Sequence, residues 1–104
     1  MIITTTNSIH GREVEKTFGL VEGSAIRARH LGSDIASGLK SLIGGELMGY
    51  TKLMEETRSQ AIERMETAAK NMGADAIVGV RITTSMIMQG ASEILAYGTA
   101  VKLK

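Results

Sequence analysis

The chain has 104 residues, 43% of them apolar, with twelve basic and eleven acidic side chains and a formal charge of +1. That is room for one domain with an ordinary core, and the balanced charge supplies no field to gather a phosphate backbone or an anionic membrane, which argues against nucleic-acid and membrane partners. The absence of cysteine removes disulfides, thiolate metal sites and cysteine nucleophiles together, and suits a reducing compartment.

The start, Met1-Ile2-Ile3-Thr4-Thr5-Thr6, lacks the charged and long apolar regions of a leader, and no apolar run approaches the roughly 20 residues that span a bilayer. The reading is a cytoplasmic protein with a single domain over residues 1–104. Ile2 to Thr5 is β-branched and ends in turn formers, which suits a brief strand, and Asn7-Ser8 starts a turn. Arg12 to Thr17 has the composition for one or two helical turns. Gly19 ends them, and Leu20 to Ala28 reads as a second strand.

Ser33 and Asp34 suit a helix cap, with Ile35, Leu39, Leu42 and Ile43 at helical spacing behind them until Gly44-Gly45. From Glu46 the period resumes: Leu47, Tyr50, Met54, Ala61, Met65, Ala68 and Met72 form one stripe of a long helix, about 40 Å at 1.5 Å per residue. Lys52 and Glu56, or Glu66 and Lys70, sit four apart on its polar side. Gly73 can close the helix in the left-handed conformation, after which the period changes to two.

Along the next strand Val78, Val80, Ile82 and Met86 are expected to meet the helices, leaving Gly79, Arg81, Thr83 and Ser85 on the other face. Gln89-Gly90-Ala91-Ser92 connects it to a last strand, with Leu95, Tyr97, Val101 and Leu103 on one side and Ile94, Ala96, Gly98 and Ala100 on the other. The predicted fold is α+β: a small two-layer domain with an antiparallel sheet of about four strands packed on two helices. Assigning Gly79, Thr83, Ala96, Gly98 and Ala100 to the face away from the helices implies close approach of a second copy of the chain, hence a homo-oligomer.

Chemistry is sparsely written. His10 and His30 are the only imidazoles, and twenty residues separate them, so they converge only across subunits. Met48, Met54, Met65, Met72, Met86 and Met88 suggest thioethers for a soft ion, but lie largely on stripes assigned to the core. Ser8 or Thr6 with His10 resembles a nucleophile and base without a third member. Gly44-Gly45-Glu46 lacks the lysine and spacing of a phosphate loop, and Arg27 and Arg29 beside His30 form the compact basic cluster.

The opening Thr-Thr-Thr-Asn-Ser-Ile with Gly11-Arg12-Glu13-Val14, then Ile43-Gly44-Gly45, Tyr50, Gly73-Ala74-Asp75-Ala76-Ile77-Val78-Gly79-Val80 and Tyr97-Gly98-Thr99-Ala100-Val101 run in order over the chain. Together they resemble the YbjQ family. The resemblance implies a small α/β protein whose copies form a ring, a homo-pentamer with sheets around the centre, and brings the family's heavy-metal-binding label without a recognisable ligand set. Where the family commonly has Pro before Gly11, this chain has His10. That imidazole is therefore not the ligand of a family-wide metal function.

The leading expectation is a non-enzymatic oligomeric binding or scaffold protein, holding a metal ion or small molecule at subunit interfaces, with no cofactor identified. Thr4, Thr6, His10 and Arg12 are the candidate ligand-binding residues, because the opening motif is more polar than folding alone requires. The alternatives are an enzyme whose site assembles between subunits around the same four residues, and an assembly that presents its long helices to a protein partner.

Overall fold

The structure, a computed structural model, describes residues 1–28 and 47–104. The elements run β1 (Ile2–Ile3), β2 (Val14–Ala28), α1 (Leu47–Met72), β3 (Ala76–Met88) and β4 (Ala91–Leu103). The sheet order is β1-β3-β4-β2. β3 and β4 form the expected hairpin across Gln89-Gly90, and β2 runs antiparallel to β4. β1 pairs parallel with the start of β3, so the sheet is mixed rather than antiparallel.

The helical turns expected over Arg12–Thr17 are strand instead: Val14, Thr17 and Phe18 have strand propensity, and β2 carries them straight into the segment beyond. Gly19 does not end an element. It sits at a register shift between Thr17 and Gly19, where a residue bulges from the ladder. The expected helix over Ser33–Ile43, the Gly44-Gly45 break, Arg29 and His30 lie outside the described residues, as do the side chains of Leu47, Met48 and Tyr50.

The long helix begins and ends close to where its stripe does. After Met72, Gly73 takes φ +94, its N–H donates to the Lys70 carbonyl at 3.0 Å, and Ala74 N–H donates to Ala69 at 3.0 Å. This pair of bonds satisfies carbonyls that the last turn would leave unpaired. The next residue, Asp75, extends the stop into the sheet: its N–H donates to Val101, and its carboxylate accepts from Leu103 N–H at 2.8 Å.

The helix lies over β2 and β4, and the layer between them is made of small side chains. Val21, Ala25, Ile94, Ala96 and Ala100 from the sheet meet Ala61, Met65 and Ala69 from α1, all buried. Gly23 shows why they are small: a Cβ there would run into the backbone of Ala61 and Met65. The face carrying Ala96, Gly98 and Ala100 is therefore the inner one, reversing the expected assignment. Their smallness admits the protein's own helix rather than a second copy.

The bulge at Gly79, φ +62, explains part of that reversal. Ahead of it Ile77 points to the helix and Val78 away. Beyond it Val80 points to the helix, so a strict count of two fails between them. Ala76, Val78, Val101 and Leu103 form a second small core on the outer side, closed by Ile9.

Past Val80, β3 is the outer strand of the sheet, with β4 between it and β2. Residues 81–88 are all exposed, including Met86 at 77% and Met88 at 65%, so these two methionines are not core residues as their spacing implies. The molecule measures 53 × 22 × 16 Å.

Candidate functional site

The four residues expected to bind a ligand lie in the loop that joins β1 to β2, and the structure separates their roles. The loop is fastened over the Gly79 bulge: Thr4 N–H donates to Ile77 carbonyl at 3.0 Å, Val80 N–H to Thr4 at 3.0 Å and Gly79 N–H to Thr6 at 2.8 Å. Arg81 reaches back to the carbonyl of Thr5 at 3.0 Å. Thr4 and Thr6 are brought together, hydroxyl to hydroxyl at 2.9 Å, and Thr6 donates onward to the Ser8 carbonyl at 2.6 Å. These hydroxyls shape the loop, the ordinary work of Thr and Ser beside a turn.

His10 and Arg12 lie farther along, on either side of Gly11, both exposed. Arg12 N–H donates to Ile9 carbonyl at 3.1 Å and closes the turn that presses Ile9 onto the outer core. The opening motif is thus a clip that holds the N-terminal segment on the sheet, with two polar side chains displayed beyond it.

A second polar arrangement forms where the helix leaves the hairpin. Arg27 on β2, Ser92 on β4 and Met86 on β3 stand in one cross-strand row on the helix side of the sheet. With Leu53, Met54, Gly90 and Ala91 they line a cleft of about 100 Å³. At its edge Arg27 Nε–H donates to the Thr57 hydroxyl at 3.2 Å, which donates in turn to the Leu53 carbonyl at 2.7 Å. Thr57 is fully buried, and this relay gives its oxygen both a donor and an acceptor partner.

The sequence singles out Arg27 as basic but not its partner, because Thr57 lies thirty residues on and looks like any polar helix position. A periodic reading does carry one signal: Thr57 falls four residues before Ala61, on the stripe that faces the sheet. The structure also brings together Met54 and Met86, the first partly buried and the second exposed.

Comparison with known proteins agrees over the full length. The model of a family described as YbjQ, "Putative heavy-metal-binding", matches residues 1–104. A UPF0145 protein of Methanosarcina acetivorans is 60% identical over 99% of this chain and 97% of its own length. UPF0145 proteins of Psychromonas ingrahamii and Thermosipho africanus are 53% and 54% identical, each across the whole chain and 99% and 96% of the relative. A crystal structure of a protein of unknown function, assigned to the DUF74 family, from Pediococcus pentosaceus has the same fold, with a TM-score of 0.70 at 18% identity, covering 100% of this chain and 98% of the other.

The donor set of the described residues does not fit the metal in that family description. Among the described residues no three His, Cys, Asp or Glu side chains are grouped to hold an ion. A pairing of thioethers in a cleft, Met54 with Met86, shares it with the Arg27 guanidinium, whose fixed positive charge opposes a cation.

Proposed function

The chain belongs to the YbjQ family, and on that premise we propose that it works as a homo-oligomeric binding or scaffold protein, in a ring in which each copy covers the hairpin arm of the next. The observation that carries this reading is the arm itself. Ile82-Thr83-Thr84-Ser85-Met86-Ile87-Met88 has no charge, proline or glycine, every residue is exposed, and nothing among the described residues pairs with its outer edge. Such a strand is a template for association unless something occupies it.

The opposite edge is treated differently, which supports a specific purpose for the arm. β2 has register shifts near Val14 and Gly19, carries Glu15, Lys16, Glu22 and Arg27, and has its Ser24 carbonyl capped by Arg64 Nη1 at 2.7 Å. These are devices that discourage strand pairing. A ring needs a head-to-tail joint between unlike surfaces. In this reading the arm meets the outer face of β2, where Leu20 and Ile26 are 67% and 55% exposed. The resemblance implies five copies.

The ring works in the cytoplasm in this reading. The cysteine-free composition suits a reducing compartment, and no helix among the described residues is long and apolar enough to cross a membrane. His10 and Arg12 offer polar contacts to a small ligand at the rim of each copy, with Thr4 and Thr6 holding the loop that presents them. Thr84→Lys, which places a charge on the arm's edge, is expected to yield smaller species in sedimentation with an unchanged circular dichroism spectrum. Glu56→Lys on the exposed helix face serves as the control. An unchanged oligomer in the Thr84 variant would refute the arm as the joint.

A further inference from the structure

We propose that the cleft between α1 and the hairpin binds a small carboxylate with a short apolar tail, its charge held by Arg27 and its tail by Met54, Met86 and Leu53. The cleft is lined by residues of one chain, so this goes beyond the assembly reading, with Met86 shared between the cleft and the arm.

The polar half of the cleft is preorganised. The Thr57 relay takes the Nε–H of Arg27 and so fixes the guanidinium plane from inside the protein. A guanidinium held through Nε keeps its terminal N–H groups for a planar, two-oxygen acceptor. Ser92, beside Arg27 in the cross-strand row, adds a hydroxyl to the same wall. A buried threonine spent on orienting a half-exposed arginine is more than packing requires, since an apolar isostere would fill the same space beneath α1.

Competition from the protein's own carboxylates has a definite limit. Glu55, Glu56 and Glu63 share a groove with Arg27 on the exposed side of the helix. Among the described residues none of them lies within 4.0 Å of its nitrogens, and the side-chain ion pairs found there are Glu66 with Lys70 and Glu13 with Lys104.

The apolar half sets the kind of acid. Leu53, Met54, Met86 and Ala91 border a cleft of about 100 Å³. That suits an acid of a few carbon atoms. Thioether side chains adapt to the shape of such a tail, and a polar anion such as inorganic phosphate would leave that wall without a partner.

The test uses the intact protein with methyl-labelled methionine, titrated with sodium butyrate, butyramide and inorganic phosphate while the methyl signals of Met54 and Met86 are followed by NMR. Saturable shifts of both signals with butyrate, little response to butyramide and weaker binding of phosphate are expected. Arg27→Gln should weaken butyrate by roughly tenfold or more. Absence of saturation with butyrate, or an equal response to butyramide, overturns the proposal. So does phosphate binding as tightly as butyrate, which would identify a bare anion site. The comparison of butyrate with butyramide is made on the unaltered chain, so it decides the matter even if the Arg27 variant does not fold.

Discussion

Two residues account for much of how tightly this molecule is drawn together. Gly23 has no room for a single methyl group, because the α1 backbone at Ala61 and Met65 rides directly on the strand. Gly23→Ala must push the helix off the sheet, and overpacking of that kind typically costs about 1–3 kcal/mol. Urea unfolding should show at least that loss, and a variant as stable as the parent would mean that the helix sits higher than described. Thr57 tests a polar contact instead. Thr57→Val keeps the volume and removes the hydroxyl that links Arg27 to Leu53, so a cost near 1 kcal/mol is expected in the same assay. Thr6→Ala removes a hydroxyl bonded to both Thr4 and Ser8 in an exposed loop, and should be milder still.

At the scale of elements, endings and edges decide behaviour. Gly73→Ala forces a side chain into the left-handed region that closes α1, at a cost of about 1–2 kcal/mol, and fraying of Lys70 to Ala74 should appear as faster amide exchange there. The sequence made α1 legible because its stripe runs through seven turns and stops at a glycine, and the β3–β4 hairpin legible because Gln89-Gly90 interrupts two alternating runs. What it concealed were local breaks in period. The bulge at Gly79 moved Val78 to the outer side, the shift at Gly19 let β2 run on where an ending was expected, and small residues suited either face until the closeness of α1 was known. The opening motif was visible as a motif, but its hydroxyls proved to bond within the loop, while its backbone fastens it to β3, a contact some seventy residues away. The Arg27 to Thr57 contact is equally non-local: the stripe places Thr57 on the side of α1 that faces the sheet without naming its partner.

As a whole, the single chain is too extended for its length. Its radius of gyration is 17.2 Å, whereas a compact domain of this size has about 13 Å. Its hairpin arm carries no charge and leaves Ile82, Met86, Ile87 and Met88 on display. Covering such side chains contributes on the order of 1 kcal/mol or more each, which is the driving force the assembly reading relies on. The most direct measurement is native mass spectrometry of untagged protein at micromolar concentration, with metal analysis of the same sample. The account predicts a closed ring, five times the 11.1 kDa chain, that carries no stoichiometric metal bound by the described residues and that Thr84→Lys breaks into smaller species. A lone 11.1 kDa species would contradict it, because an isolated chain would then be keeping its uncharged edge open to water.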